Sequence, residues 1–523
     1  MHRRRDRTPL GSRYTAPVGL GAQPAVAPAA PAAGLGSVAE QVSAATPGAQ
    51  VLRPEMGMTP GHPLTDVEGN AALLAYERSI KGRFAQLVPT LKCISGMQHD
   101  GDFEAQAQAI ARQELGFELP KQVLEDAWVD QLDMRALFAY GMFHMFEQVV
   151  NEFWKDHEDL QAEAERAMAY FLDCDFHEVD ITPCSDGRLM GLIRYVLRVP
   201  HQAVRVRSYA GAMFDIESDV RHWTKRELIR FREGVPNTAD TPTRYLKVAA
   251  YHYSSSNPAH EGCAAHGSNE RDAAEAALKR LREFRQAIQN TYCCGASVDT
   301  LLIGVDTDTD AIKVHVPDAD TRMSVYRYVD SAELYRETQG MDAQAAALRV
   351  YQAIQQAIET GGWGAGNGPP HEGMLRLISQ LLVNNMSQID YVASHHAGRY
   401  ADIGHKELFV IAGDGFEELQ IRNMAYFANL DTVEEGAADL DVGINKIFRK
   451  LNASHGLPIP VIVHYRYNGN VPGARERATE HCRRVKRAIE ARYTDLAEKG
   501  LLFCCMFIRE KTRGSRLEPV EGC

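Results

Sequence analysis

The segment Cys184-Ser185-Asp186-Gly187-Arg188 sets a thiolate, a carboxylate and a guanidinium at alternate positions, directly after the strand-like run 177–182. A thiolate is a soft metal ligand, and an arginine two residues from an aspartate can grip the carboxylate with two parallel hydrogen bonds. Further along, the apolar run 245–251 ends in His252, and a polar loop leads from it to Cys263. Cys184, His252 and Cys263 make a Cys2His set. On zinc, three protein ligands leave the fourth tetrahedral position to water, the arrangement of a catalytic rather than a closed structural site. Structural fingers more often carry close Cys-x-x-Cys pairs, and the chain has none.

On such a metal a bound water ionises near about pH 7. Asp186 would accept its hydrogen bond and orient it, while Arg188 would keep Asp186 from swinging onto the metal as a fourth ligand. His260 and His266 bracket Cys263 and are rival ligands. For proton transfer the candidates are His395, His396 and His405, with His405 favoured because it opens the strand-like stretch of the last part of the chain.

Those side chains must be positioned by a scaffold of 523 residues, 45% hydrophobic and 24% charged, an ordinary soluble globular composition with room for more than one domain. No apolar run approaches the roughly 18 residues of a membrane span. The formal charge of −12 argues against a general nucleic-acid-binding surface. The first thirteen residues depart from that balance, with Arg3, Arg4, Arg5, Arg7 and Arg13 against Asp6 alone. An export or transit signal would need an apolar or amphipathic segment where this chain has an Ala/Pro/Gly tract, so the expectation is a cytoplasmic protein with a disordered basic arm. Ten cysteines in so long a chain do not make a disulfide framework, and the pairs Cys293-Cys294 and Cys504-Cys505 read as packing residues.

Residues 1–60 are poor in large apolar side chains and read as a tail. Helical spacing dominates 64–155, and from 156 strands alternate with amphipathic helices, the pattern of α/β architecture. Expected strands are 177–183, 244–252 and 298–306; expected helices are 215–233, 270–292, 341–360 and 371–394, with the Gly-rich tract 361–368 as a linker. Domains are expected at 64–155, 156–400 and 401–523.

The last of these repeats the one before it. Asp186-Gly187 followed by Ile193-Arg194 matches Asp414-Gly415 followed by Ile421-Arg422, and the run ending in His252 matches the run ending in His464. In each part a polar loop, a charged helix and an apolar strand follow. On this alignment Cys184 faces Ala412, Arg188 faces Phe416 and Cys263 falls near Arg475, so the second copy is expected to hold no zinc.

The Cys-x-Asp-x-Arg segment, the second cysteine and histidine and the α/β setting together resemble β-carbonic anhydrases. The tail, the helical domain and the altered second copy narrow the resemblance to the carboxysomal carbonic anhydrases, over nearly the whole chain after residue 60. It implies an α/β fold with two tandem β-carbonic-anhydrase-like domains, the second degenerate. It also implies one Zn2+ per chain on Cys184, His252 and Cys263, with Asp186 and Arg188 as catalytic dyad. The expected reaction is CO2 to bicarbonate within the carboxysome, supplying Rubisco. Expected partners are the carboxysome shell, Rubisco through the arginine-rich tail, and further copies of the chain in a homodimer or larger oligomer, with no nucleic acid and no membrane. β-Carbonic anhydrases usually place the ligand His and Cys three residues apart; here they are eleven apart. The alternative is a non-catalytic scaffold that organises Rubisco and shell, with zinc structural or absent.

Overall fold

The computed structural model describes residues 61–521 apart from 128–130, 156–159, 236, 239, 241, 292–296, 318–322 and 362–370. The tail, Cys293-Cys294 and the Gly-rich tract from residue 362 therefore lie outside the described residues. What is described is a mixed α/β protein, with an N-terminal helical region and two sheet-containing domains.

The helical region comprises α1 (Val67–Gly96), α2 (Phe103–Glu114), α3 (Lys121–Asp126) and α4 (Met134–Phe153). Asp66 and Asp133 start α1 and α4 by accepting backbone N–H groups of the first turn, which would otherwise lack partners. Phe84, Leu87 and Leu91 on α1 recur at helical spacing and share a core with Leu137, Met142 and Phe146 on α4. That core does not close on itself. Phe146 packs edge-on against Phe416, ring centroids 4.6 Å apart, which ties the helical region to the last domain.

After α5 (Leu160–Asp173) the first sheet assembles β1 (Glu178–Pro183), β2 (Arg205–Val206), β3 (Arg244–Tyr253), β4 (Ser297–Asp306), β5 (Ile312–Pro317) and β6 (Met323–Asp330) in the order β2-β1-β3-β4-β5-β6. The first four pair in parallel, while β5 and β6 add antiparallel. Crossovers from one parallel strand to the next pass through α6 (Ile216–Arg232) and α7 (Glu270–Thr291). Covered on both faces, β1 and β3 are buried along nearly their whole length; β3 reads as a largely apolar run, whereas β1 alternates and buries Asp180 and Thr182. Lys247 lies within that buried stretch: its ammonium meets Asp180 at 2.9 Å and Asp219 at 2.6 Å, all three fully buried, and Arg205, paired with both aspartates, supplies the second cation that balances them. Helices α8 (Ser331–Thr338), α9 (Ala343–Gly361) and α10 (Glu372–His395) complete the layer.

The second sheet holds β7 (Phe409–Gly413), β8 (Ala425–Ala428), β9 (Ile459–Tyr467), β10 (Leu502–Glu510) and β11 (Glu518–Pro519), in the order β11-β10-β9-β7-β8, with α11 (Ala474–Arg492) between β9 and β10. Read from the other edge, its parallel strands run β8-β7-β9-β10, the same order as β2-β1-β3-β4. The registers match as well. Pro183 pairs with Ala250, which brings Ser185 level with His252; Gly413 pairs with His464, which puts Ala412 at the place of Cys184.

The tight turn Asp306–Asp310 carries the chain from β4 into β5, with β6 and α8 following. Two expectations differ from the structure. His405 lies in the segment before β7, not in the strand. Cys505 is disulfide-bonded while its neighbour Cys504 is a free thiol, so the two are not a simple packing pair.

Candidate metal centre

Cys184 follows β1 and is fixed at both ends. Its backbone N–H donates to Ala250 O at 3.2 Å, and its sulfur accepts the N–H of Gly211 at 3.1 Å. Gly211 sits at φ +65°, and a Cβ there would come 2.4 Å from His266 Nε2, so both conformation and space call for glycine. His252 projects from the end of β3, and Cys263 ends the loop before α7. Ligand atoms of Cys184, His252 and Cys263 all lie within 4.8 Å of one another, and all three residues are buried.

The two sulfurs are 3.9 Å apart. Two thiolates on a tetrahedral zinc at about 2.3 Å each would stand about 3.8 Å apart. Both ring nitrogens of His252 are buried with no hydrogen-bond partner among the described residues, a cost that a metal on one nitrogen relieves. The hydrogen bond between the two sulfurs, together with burial, raises the Cys184 thiol well above the usual range, and the same hydrogen bond lowers Cys263. The donor set thus fits zinc.

Beside the three ligands the Asp186–Arg188 pair forms as its spacing predicts. Arg188 Nε donates to Asp186 Oδ1 at 2.9 Å and Nη2 to Oδ2 at 2.7 Å, both side chains buried. Arg188 also donates to the carbonyls of Glu261, Gly262 and Ile403, so one guanidinium joins the segment after β1 to the Cys263 loop and to the approach to β7. Burial works to raise the Asp186 carboxyl, but Arg188, His252 and His405 outweigh it and hold it well below the usual carboxylate range. Asp186 Oδ2 lies 3.3 Å from His252 Nε2 and 3.8 Å from His405 Nδ1.

His405 is thereby brought to the site, while the other candidates are not. His395 and His396 pack on Tyr391 at the end of α10. His260 is exposed in the loop, and His266 stands against Gly211 outside the three-ligand group. Sequence reasoning missed Glu407. Its Oε1 meets His405 Nδ1 at 3.0 Å and accepts the Gly187 N–H at 3.1 Å. Burial lowers His405, but Glu407 and Asp186 together raise it above the ordinary histidine value. A Cβ on Gly187 would meet Glu407 Cγ at 2.3 Å and Ala425 O at 2.9 Å, which is why the five-residue segment needs its glycine. The signal for Glu407 was its place two residues after His405.

An α/β protein with a buried Cys-His-Cys set at parallel strand ends, flanked by a carboxylate–guanidinium pair, is the class that fold and site define. Family models for the carboxysome shell carbonic anhydrase match residues 62–154 (N-terminal), 166–405 (catalytic domain) and 406–523 (C-terminal). The carboxysome shell carbonic anhydrase of Halothiobacillus neapolitanus is 50% identical over 88% of this chain and 90% of its own length. That of Prochlorococcus marinus strain MIT 9313 is 49% identical over 89% and 91%. The protein of the same name from Parasynechococcus marenigrum is 50% identical over 88% and 78%. The chain belongs to the carboxysome shell carbonic anhydrase family.

Proposed function

We propose that this carbonic anhydrase interconverts CO2 and bicarbonate with one zinc held by Cys184, His252 and Cys263. The observation that carries the reading is the buried convergence of those three ligands beside the Asp186–Arg188 pair. Zinc, when bound there, lowers the pKa of the water it holds toward about 7. Asp186, kept ionised by Arg188, is an acceptor only and orients that water by taking its hydrogen bond. Arg188, clamped by three backbone carbonyls, keeps Asp186 from turning onto the metal. His405, steadied through Nδ1 by Glu407, is the group we assign to proton transfer.

In this reading the chain is organised as a helical domain over 64–155, a catalytic domain over 156–400 and a degenerate β-carbonic-anhydrase-like second copy over 401–523 that holds no zinc. The relatives' names place them in the carboxysome shell. This chain then acts in the carboxysome, associated with the shell as a homodimer or larger oligomer, and supplies CO2 to Rubisco. Among the described residues no helix is long and apolar enough to cross a membrane.

The test is stopped-flow CO2 hydration with zinc analysis on the wild type and Asp186→Asn. The expected result is one zinc in both, with turnover lowered about 10²- to 10⁴-fold in the variant; undiminished turnover would overturn the mechanism. For the basic tail, removal of residues 1–50 is expected to abolish a salt-sensitive association with Rubisco. Binding unchanged by that deletion would remove the tail from the account.

A further inference from the structure

Between His252 and Cys263 the chain runs eleven residues through a loop whose Ser255, Ser256 and His260 are exposed. A loop so open to solvent does not by itself fix the separation of the two ligands it joins. Its far end is held by Arg188, which takes the carbonyls of Glu261 and Gly262. Its near end is held from β4. There the turn Asp306-Thr307-Asp308-Thr309-Asp310 presents two carboxylates, 2% and 0% exposed, to three consecutive serines.

Asp308 Oδ2 accepts Ser254 Oγ at 2.9 Å, Ser256 N at 2.8 Å, the Ser256 hydroxyl, and Ser255 Oγ at 3.4 Å. Asp306 accepts Ser255 N at 3.1 Å and Ser255 Oγ at 2.8 Å. Ser254 Oγ in turn accepts Asn257 N at 3.0 Å, which carries the restraint one turn further toward Cys263. The turn is anchored on its other side as well, where Tyr400 N donates to Asp308 O at 2.9 Å. Asp310 faces away from the loop and accepts Gln388 and Tyr400.

The second sheet supplies an independent comparison. Asp306 pairs with Tyr253, the residue after His252, and Ile508 pairs with Tyr465, the residue after His464. At the place of Asp306 the second sheet thus carries an aliphatic side chain, while two residues on, at the offset of Asp308, it has Glu510 beside Gly469 of the loop after β9.

We propose that Asp308, assisted by Asp306, is a positioning residue of the metal centre, holding Ser254–Ser256 so that His252 and Cys263 keep ligand geometry across the loop. The proposal rests on the reading of Cys184, His252 and Cys263 as zinc ligands. Outer groups that orient ligands typically contribute 10- to 100-fold in metal affinity, so the effect is measurable without assaying turnover.

The experiment uses the full chain, with zinc affinity read by chelator competition and geometry by the thiolate-to-metal band of the cobalt-substituted protein. Asp308→Ala is expected to weaken zinc about 10- to 100-fold and to shift the cobalt band. Asp308→Asn, whose amide oxygen still accepts, should recover most of that affinity. Asp310→Asn, in the same turn but facing Gln388 and Tyr400, should bind zinc as the wild type does. If Asp308→Ala does not fold, the double variant Ser254→Ala/Ser256→Ala removes two donors while leaving the turn, and the same weakening is expected. Wild-type zinc affinity and an unshifted cobalt band in the variant that folds would overturn the proposal and leave the ligand assignment standing. A wild-type chain that takes up no zinc would instead overturn the ligand assignment, and the proposal with it.

Discussion

Two sheets whose parallel strands run in the same order each bury a histidine at the end of a central strand, and the two histidines are partnered differently. His252 faces Cys184 and Cys263, and neither of its nitrogens has a hydrogen-bond partner among the described residues. His464 donates from Nδ1 to Asp414 O at 2.9 Å, its Nε2 has no partner among the described residues, and the ring of Phe416 lies 4.1 Å from its own. In the second sheet the histidine thus packs against an aromatic ring rather than facing two thiolates. Arg475, aligned near Cys263, turns outward to Glu518. What the second domain retains is a grip on the first: Phe427 N donates to Ser185 O at 3.0 Å, Asn423 N to Gly187 O at 2.8 Å, and Asp439 accepts Ala210 N beside the Gly211 N–H on Cys184. The comparison teaches that a domain whose buried histidine faces no thiolates can still position the side chains of its neighbour's site.

The largest expected effect breaks the comparison at its most unequal pair. Cys263→Ala should lose the zinc and, with it, hydration activity, because two ligands cannot hold the metal in a tetrahedral site. Arg475→Ala, the nearest counterpart, should leave both unchanged, since it removes only an exposed ion pair with Glu518. Metal analysis of the two purified variants decides this. Zinc retained by Cys263→Ala would mean that the ligand set is wrong.

Much of this contrast was legible in the residues themselves. Cys184, Asp186 and Arg188 lie within five positions, so strand-end geometry alone brings them together, and the apolar runs before His252 and His464 mark buried parallel strands. The replacement of Cys184 by Ala412 could be read by alignment, and the strand registers agree with it. What was not legible depends on contacts between distant segments. Glu407 reaches Gly187 over 220 residues, and Asp308 reaches Ser254 over 54. Aspartates alternating with threonines look like an ordinary polar turn until the facing serines are known. His266, three residues from Cys263, is a rival to His252 in the sequence. Only the fold shows it against Gly211, outside the group of three.

A smaller effect sharpens the comparison from the other side. Phe416 is 3% exposed and packs against both His464 and Phe146, so it fills the second site and joins it to α4. Phe416→Ala should cost about 3–5 kcal/mol of stability by leaving a cavity, without changing the zinc bound per chain. Urea unfolding beside metal analysis measures both. An additional zinc in the variant would mean that the second site had been blocked by the ring alone rather than disarmed by loss of its thiolates.

The smallest effect concerns protons. Burial, with Arg466 and Arg509 nearby, holds His464 well below the ordinary histidine value. Its folded pKa is therefore depressed relative to about 6.5 in the unfolded chain. The sign follows from linkage: below about pH 6.5 the unfolded state binds a proton that the folded state refuses, so the contribution present above that pH is lost as pH falls. The expected slope from this group is about 1.4 kcal/mol per pH unit until the folded pKa is reached. His62, His315 and His396, each lowered to about 4 by burial, add slopes of the same sign, so the wild-type profile alone cannot isolate His464. The difference between wild type and His464→Gln in urea unfolding from pH 7.5 to 5 does isolate it. A shallower acid loss in the variant is expected, and parallel profiles would show that His464 takes up its proton in the folded state, leaving the second site polar enough to hold a charge that its packing against Phe416 argues against.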